Sequence, residues 1–498
     1  MGKNLVAGDT ILLKQTKSLC PVCKKVLDAE IIDKEGQVYI ERTCPDHGHF
    51  SYLYWSDSEM YRRFDAFDRK GTGVENPQIV TSTRNCPSDC GICNHHRSTT
   101  LLANIDLTNR CNLNCAFCFA NARACGYIYE PTFEQIRGML EMLRAEKPNP
   151  APAVQFAGGE PTMRDDLYDI IKMAKEMGFP QVQLATNGLL LAKDPNMAKT
   201  LKEIGLQTVY LHFDGITKET NSKLAQDLKA IENCKNVRLG IVLVPTIINT
   251  INDHEVGGII RFAAENISII RGINFQPVSF TGAASPEEII RERITIPELL
   301  AKIEEQTNGD ILQSDFYPVP CVLPVSEFVE AYTGRTQIKF TAHQHCGAAT
   351  YAFAREEGLV PINRLVDVDS FFQSIEELNR RIETGSSLTK KMIAISGLRE
   401  FYNKVKKEET NSGLDVWKIL GKTLITHNFE ALRSFHWNAL FIGTMHFMDN
   451  YNYDIDRVNR CCIHYATPDG RLIPFCSYNS GPVYREQVWK KYSQPIEK

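Results

Sequence analysis

The sequence lacks any long hydrophobic run and any marked excess of charge of one sign. Its longest apolar stretches, "LGIVLV" and "ALFIG", are too short to span a bilayer, and its first residues, "MGKNLVAGDTILLKQ", show neither the apolar segment nor the cleavage site of a signal peptide. The 498 residues carry 56 basic and 60 acidic side chains, a net charge of −4. This balance argues against a protein that binds nucleic acid by neutralising phosphates. We therefore expect a cytoplasmic protein with no nucleic-acid partner.

Cysteine, in contrast, is abundant, with 16 residues. Because reducing compartments keep thiols free, metal ligation explains these residues better than a disulfide framework does. Only Cys234 stands apart, and we expect it to be a small buried core residue. The other thiols fall into the groups Cys20/Cys23/Cys44, Cys86/Cys90/Cys93, Cys111/Cys115/Cys118/Cys125, Cys321/Cys346 and Cys461/Cys462/Cys476.

Short apolar runs alternate with helical patterns in the middle of the chain. The predicted strands are 101–108, 153–157, 181–185, 208–213, 238–244 and 273–279. Such alternation predicts an α/β fold with a parallel sheet curved into a partial (β/α)6 barrel. We divide the chain into a cysteine-rich region (1–98), a barrel core (99–283), a mainly helical region (284–435) and a second cysteine-rich region (436–498). In the last region, Asp469-Gly470 predicts a hairpin that brings Cys461 or Cys462 close to Cys476.

The predicted core strands end in residues suited to chemistry, on the face where barrel enzymes place their active sites. The first strand leads into a C-x3-C-x2-C loop, and the next three lead into "GGEPT" (158–162), "TNG" (186–188) and "DG" (214–215). A zinc site is closed by four ligands, whereas three thiols at this spacing suit a [4Fe–4S] cube with one open iron. An open iron binds a small molecule through an amine and a carboxylate, as S-adenosylmethionine (SAM) does. One electron from the cluster then cleaves SAM to a 5′-deoxyadenosyl radical.

The cysteine loop combined with "GGEP" after the second strand resembles radical SAM enzymes. This resemblance implies that the catalytic cluster is held by Cys111, Cys115 and Cys118. It implies SAM contacts from Gly158, Gly159, Glu160, Asn187 and Asp214, and Phe117 within the motif is suited to border the adenine. Cys125 lies outside the motif and is either a structural thiol or an auxiliary metal ligand.

Twelve cysteines remain, which is enough for three further four-thiol sites. "CPVC" and "CPDHGHF" resemble the knuckles of a rubredoxin or zinc ribbon, which binds one iron or zinc ion. Its fourth ligand is either His47 or a thiol of the Cys86 group, and the cysteine count favours the thiol. We expect two auxiliary [4Fe–4S] clusters, one around "CPSDCGIC" and one on the tail cysteines with Cys321 or Cys346. The alternative is that some of these sites bind zinc and serve folding alone.

Across nearly its whole length the chain is similar to one archaeal radical SAM family. The similarity rests on "CPVC…CPDHG", "CPSDCGIC", the core motif and "CC…PFCSYN". Members have been described as tetraether lipid synthases and as pterin methyltransferases of tetrahydromethanopterin biosynthesis. An iron–sulfur electron carrier or scaffold, by comparison, would leave "GGEPT" and "TNG" without a purpose.

Of these two activities we favour lipid coupling, because joining two unactivated methyl carbons requires one carbon radical to be held while a second forms. Auxiliary cluster sulfides offer a place for that first radical. This reading predicts an archaeal diether phospholipid substrate coupled at its terminal methyl groups into macrocyclic or tetraether lipids. It also predicts a low-potential electron donor and peripheral contact with a membrane surface. The alternative is methylation of 7,8-dihydro-6-hydroxymethylpterin.

Overall fold

The structure is a computed structural model of the chain. It describes residues 5–6, 10–81, 86–115, 118, 126–281, 285–355, 358–383, 393, 396–397, 439–482 and 484–495. Two of the residues predicted from the sequence to belong to sites, Phe117 and Cys125, lie outside the described residues.

An antiparallel meander forms the amino-terminal part of the protein. Its strands pair in chain order: β1 (Leu5–Val6), β2 (Thr10–Leu19), β3 (Val26–Lys34), β4 (Gln37–Cys44) and β5 (Gly48–Trp55). Helix α1 (Ser58–Asp65) follows and begins at Asp57, whose side chain accepts the backbone N–H groups of Glu59 and Met60. Trp55 and Phe64 are fully buried and join the main hydrophobic core, so the meander is packed onto the rest of the protein.

All six predicted core strands are present and lie side by side in parallel in the large sheet. They are β6 (Leu102–Thr108), β8 (Ala153–Gly158), β9 (Gln181–Thr186), β10 (Thr208–His212), β11 (Gly240–Val244) and β13 (Ile270–Pro277). The remaining strands are β7 (Tyr127–Tyr129), β12 (Thr246–Ile247), β14 (Tyr317–Pro318), β15 (Gly347–Arg355), β16 (Gly358–Pro361), β17 (Leu440–Met445), β18 (Ile463–Ala466), β19 (Leu472–Pro474) and β20 (Ser493–Pro495). The fold is therefore the predicted α/β class, a partial barrel flanked by cysteine-rich extensions.

Helices cover one face of this sheet. Those of the barrel are α2 (Phe133–Arg144), α3 (Leu167–Glu176), α4 (Leu189–Lys193), α5 (Pro195–Glu203), α6 (Leu224–Asn236) and α7 (Val256–Glu265). Those that follow are α8 (Pro286–Glu292), α9 (Ile296–Gln306), α10 (Leu323–Thr333), α11 (Val368–Glu383), α12 (Ile455–Asn459), α13 (Phe475–Ser480) and α14 (Tyr484–Lys491). None of the helices in the described part of the chain is both long enough and apolar enough to cross a bilayer.

The two faces of the parallel strands differ in chemistry, because successive side chains of a strand point to opposite sides. The helix-facing side is apolar and fully buried, with Ile105, Phe156, Leu184, Leu211 and Leu243 in the main core. Each such side chain contributes about 1.5–3 kcal/mol to folding through burial. The opposite face, here called the inner face, carries polar groups in register: Asn104 pairs with Gln155, and Gln155 with Gln183.

The carboxyl-terminal region extends the sheet at both edges. Strand β17 pairs in parallel with β13, and β18 pairs in parallel with β6. The predicted hairpin at Asp469-Gly470 is present, because β18 pairs antiparallel with β19 and Gly470 adopts a φ of +80°. The region predicted as mainly helical, 284–435, also contains β14, β15 and β16. The domain boundaries given above stay predictions.

Candidate active site and metal centres

The "GGEPT" loop lies directly against the start of the cysteine loop. The backbone N–H of Gly159 donates to the carbonyl of Thr108, and that of Glu160 donates to the carbonyl of Arg110, both at 2.7 Å. A Cβ on Gly158 or Gly159 would lie 2.2 Å from the Thr108 oxygen or 2.3 Å from the Arg110 oxygen, respectively. These glycines therefore permit the close approach of the two loops, and two of the loop's N–H groups are already used within the protein.

Glu160 connects the loops that follow β8 and β9. Its carboxylate is buried and accepts hydrogen bonds from the hydroxyl and N–H of Thr162, from the Thr186 hydroxyl at 2.7 Å and from the Asn187 N–H at 2.8 Å. Burial raises the pKa of Glu160, while these four donors oppose that shift. Both oxygens are thus engaged by the protein, and the side chain holds the "TNG" loop in place.

Asn187 links the "TNG" loop to the cysteine loop. Its Nδ2 donates to Oδ1 of Asn112 at 2.7 Å, and its own Oδ1 accepts the N–H of Leu189 at 3.0 Å. The three loops predicted to bind SAM are therefore joined by hydrogen bonds at the carboxyl ends of neighbouring strands.

Asp214 forms the centre of a polar group beyond β10. Its Oδ2 lies 2.5 Å from Nε2 of His212, and its Oδ1 accepts the N–H of Thr246 at 2.9 Å. Although burial opposes ionisation, His212, the Thr246 N–H and Lys223 lower the pKa of Asp214. Asp214 is therefore a carboxylate, and it lies close enough to Cys115 to act on that thiol electrostatically.

The thiols of the C-x3-C-x2-C motif are gathered at the end of β6. Burial, the neighbouring thiols of Cys118 and Cys111, and Asp214 raise the pKa of Cys115 to about 11. Cys111 and Cys118 thus oppose ionisation of Cys115, and a bound cationic centre removes that opposition. The all-thiol donor set suits an iron–sulfur cluster.

The amino-terminal knuckles form a compact ligand set of Cys20, Cys23, Cys44 and His47, whose ligand atoms all lie within 4.8 Å of one another. Of the two candidates for the fourth ligand, His47 is therefore the one that lies beside the three thiols. Burial alone would raise the pKa of Cys44, but hydrogen bonds from His47 and from the backbone lower this pKa to about 6. Three thiols and one imidazole are a donor set for one tetrahedral ion.

Cys86, Cys90 and Cys93 lie on the loop that packs against the carboxyl-terminal segment. A hydrogen bond with Cys86 lowers the pKa of Cys90, against the effect of burial, and Ser477 contributes in the same direction. The N–H of Cys90 donates to the Tyr484 hydroxyl at 3.3 Å. This loop is thus held by α13 and α14, close to Cys476.

The tail thiols interact electrostatically with Cys346. Burial raises the pKa of Cys476 to about 12 and that of Cys462 to about 11, and Cys346 contributes to both shifts. Cys476, Cys346 and Cys462 likewise raise the pKa of Cys461. Burial alone raises the pKa of Cys321 to about 12, with no contribution from another described thiol. Of the two candidates that the sequence left open, Cys346 is therefore the one that interacts with the tail thiols.

Sequence reasoning missed several residues that shape these sites. His47, in "CPDHG", was one of two candidates for the fourth ligand, and the cysteine count favoured the other. Asn112 and Thr186 lie inside recognised motifs, yet nothing in the motifs shows which side chains face each other. Arg457, whose Nε lies 3.4 Å from Sγ of Cys346, has no sequence signal at all.

Two family models match the chain. The Radical SAM superfamily matches residues 105–263, and the HMPTM N-terminal zinc ribbon domain matches residues 12–56. The first match implies SAM, a [4Fe–4S] cluster and an electron donor, and the second suggests a further metal site, in agreement with the Cys/His group described above.

Similar proteins include one that aligns over nearly its full length. The 7,8-dihydro-6-hydroxymethylpterin dimethyltransferase of Methanocaldococcus jannaschii is 48% identical over 97% of this chain and 96% of its own. The Fe-coproporphyrin III synthase of Methanosarcina barkeri is 34% identical over 39% of this chain and 47% of its own. Among solved structures, methylornithine synthase (PylB) aligns with a TM-score of 0.29 and 15% identity, over 36% of this chain and 54% of its own, a likeness too low to support an argument.

The comparison contradicts the predicted lipid substrate and lipid-coupling activity, because the full-length relative is named for a pterin. The lipid prediction rested on the number of thiol groups. Members of the family share these groups under both described activities, so the groups do not distinguish lipid coupling from pterin methylation. The archaeal ether lipid is therefore withdrawn as a partner. The chain belongs to the radical SAM superfamily and, within it, to the family of the Methanocaldococcus jannaschii 7,8-dihydro-6-hydroxymethylpterin dimethyltransferase.

Proposed function

We propose that the protein is a radical SAM methyltransferase that acts on a pterin of the 7,8-dihydro-6-hydroxymethylpterin class. The observation that carries this proposal is the 48% identity to the M. jannaschii pterin dimethyltransferase over 97% of the chain. That alignment includes the ribbon, the barrel and the tail thiols, so it extends well beyond the residues that radical SAM enzymes share.

The chemistry of the inner face supports a heterocyclic substrate. Asn104, Asp106, Gln155, Gln183 and Tyr210 lie on it, according to the strand register. A pterin ring offers amino, ring N–H and carbonyl groups to such side chains. Asp106 pairs with Arg485 at 3.1 Å and Gln155 donates to Asn104 at 2.9 Å, but the Oε1 atoms of Gln155 and Gln183 have no hydrogen-bond partner among the described residues. An alkyl chain would leave these two oxygens unpaired, at a cost of about 1–3 kcal/mol each.

We assign the cluster to Cys111, Cys115 and Cys118, and SAM to the loops that follow β8, β9 and β10. Bound there, cluster and SAM supply a 5′-deoxyadenosyl radical that abstracts hydrogen. Gly158 and Gly159 let the loops approach, and Glu160 acts as a positioning residue rather than a direct contact. The remaining polar groups are Asn187, which joins the loops, and Asp214, which as a carboxylate suits the ribose hydroxyls.

The other thiols provide three further sites in this proposal. Cys20, Cys23, Cys44 and His47 hold one iron or zinc ion. One auxiliary [4Fe–4S] cluster takes ligands from Cys86, Cys90 and Cys93, and a second takes Cys346, Cys461, Cys462 and Cys476. Cys321 is left out, because the tail thiols interact electrostatically with Cys346, whereas burial alone shifts the pKa of Cys321. Roles for Phe117 and Cys125, a cytoplasmic location and peripheral membrane contact stay predictions from the sequence.

The test is a comparison of substrates for SAM cleavage. Full-length protein, purified anaerobically and loaded with iron, is given SAM, a low-potential reductant and either 7,8-dihydro-6-hydroxymethylpterin or an archaeal diether lipid. We expect the pterin, and not the lipid, to stimulate formation of 5′-deoxyadenosine. Stimulation by the lipid alone would contradict the proposal.

A further inference from the structure

Arg457 lies at the meeting point of the tail thiols, strand β17 and the ribbon sheet. Its Nε is 3.4 Å from Sγ of Cys346, and its Nη2 donates to the carbonyl of His446 at 2.6 Å. Its guanidinium also lies 5.8 Å from the ring centroid of Tyr54, on β5. The N–H of His446 in turn donates to the carbonyl of Cys346 at 3.0 Å, so Arg457 and Cys346 are held against the same strand end.

The surroundings of Arg457 differ from those of other buried arginines. Arg460 pairs with Asp68 at 2.5 Å, and Arg293 pairs with Asp449 at 2.9 Å. Within the described residues no carboxylate lies within 4.0 Å of the Arg457 guanidinium, although only 2% of the residue is exposed. A buried cation without a contacting counter-charge costs several kcal/mol, and a metal-bound Cys346 thiolate would supply one at 3.4 Å.

We propose that Arg457 is a positioning residue of the tail thiol site, which fixes Cys346 and raises the reduction potential of a cluster bound there. This inference rests on the proposed function, which assigns a cluster to Cys346, Cys461, Cys462 and Cys476. Reduction adds negative charge to the cluster, and a nearby cation stabilises the reduced state. A hydrogen bond to a ligating sulfur acts in the same direction.

The experiment is an EPR-monitored redox titration of the full-length, iron-loaded protein. The tail-cluster signal is identified as the one lost in Cys476→Ala. In Arg457→Gln we expect the midpoint of that signal to shift to more negative potential, with the other signals unchanged. Arg457→Lys keeps the positive charge but loses the planar guanidinium. We therefore expect its midpoint potential to shift in the same direction by a smaller amount. Arg144→Lys, on α2, where the arginine donates to the Ala151 carbonyl and lies over the Phe179 ring, is the matched control and leaves the midpoint unchanged.

The possible failures of the two ideas are distinguishable. An unchanged tail-cluster midpoint in both Arg457 variants, at full iron content, would overturn the role of Arg457 and leave the cluster assignment standing. If Cys476→Ala lost no iron, the cluster assignment itself would fail, and the inference would fail with it. Should Arg457→Gln not fold, the shift in Arg457→Lys relative to Arg144→Lys decides the question.

Discussion

Replacing Gly159 with alanine tests whether close contact of the "GGEPT" and cysteine loops builds the SAM site. The new Cβ would lie 2.3 Å from the Arg110 carbonyl oxygen and 2.8 Å from its carbonyl carbon. A carbon–oxygen contact needs roughly 3.3 Å, so the two loops have to separate by about 1 Å. The obstacle is backbone, and rotation of a side chain does not relieve it.

The expected cost follows from the hydrogen bonds that this separation breaks. The Gly159–Thr108 and Glu160–Arg110 bonds are both 2.7 Å long, and about 1 Å of movement takes them beyond bonding distance. At about 0.5–1.5 kcal/mol each, they amount to about 1–3 kcal/mol. If SAM binds only to the closed arrangement, its affinity falls by roughly 5-fold to 150-fold.

The assay is equilibrium binding of SAM to iron-loaded protein, with iron content measured in parallel. Gly138→Ala is the matched control, because no atom lies within 4 Å of the new Cβ and the position is exposed within α2. That variant should keep SAM affinity and gain about 0.5–1 kcal/mol of stability. Unchanged SAM affinity in Gly159→Ala, with full iron content, would refute the reasoning.

Three further predictions concern the metal sites. Alanine at Cys111, Cys115 and Cys118 together should abolish 5′-deoxyadenosine formation while the auxiliary iron is retained; continued formation would exclude this motif as the SAM-cleaving site. His47→Ala should release the ribbon metal, as measured by elemental analysis, whereas His49→Ala, on the neighbouring exposed strand, should not; retention of the metal in both would exclude an imidazole ligand. Cys346→Ala should lower iron content by about one cluster and Cys321→Ala should leave it unchanged, and the reverse pattern would show that the tail site is built differently.

The barrel was predictable because its strands carry a local signal. Short apolar runs such as those of β8 and β9 alternate with amphipathic helices. This alternation of strand and helix patterns is enough to indicate parallel strands. Strand β17 was not predicted as part of the barrel, because it follows β13 only after a long intervening segment and reads as one more short apolar run. Pairing across such a separation depends on tertiary packing, which no local pattern records.

For the sites, too, motifs on a single loop could be predicted from the sequence, whereas contacts between segments could not. The spacing of the cysteine loop and the "GGEP" motif identified the radical SAM core, because their ligands lie on single loops. Which residue lies beside the ribbon thiols, and which cysteine interacts with the tail thiols, depends on contacts between segments that no local motif records. The substrate was mistaken because thiol counts are common to both family activities, whereas the polar inner face becomes visible only once the strand register is known.

Mass spectrometry of the pterin after reaction tests the central claim most directly. Iron-loaded full-length protein is incubated anaerobically with SAM, a low-potential reductant and 7,8-dihydro-6-hydroxymethylpterin, beside the variant that lacks Cys111, Cys115 and Cys118. The account predicts a pterin heavier by added methyl groups with the intact protein and an unchanged pterin with the variant. An unchanged pterin from intact protein that nevertheless cleaves SAM would contradict it.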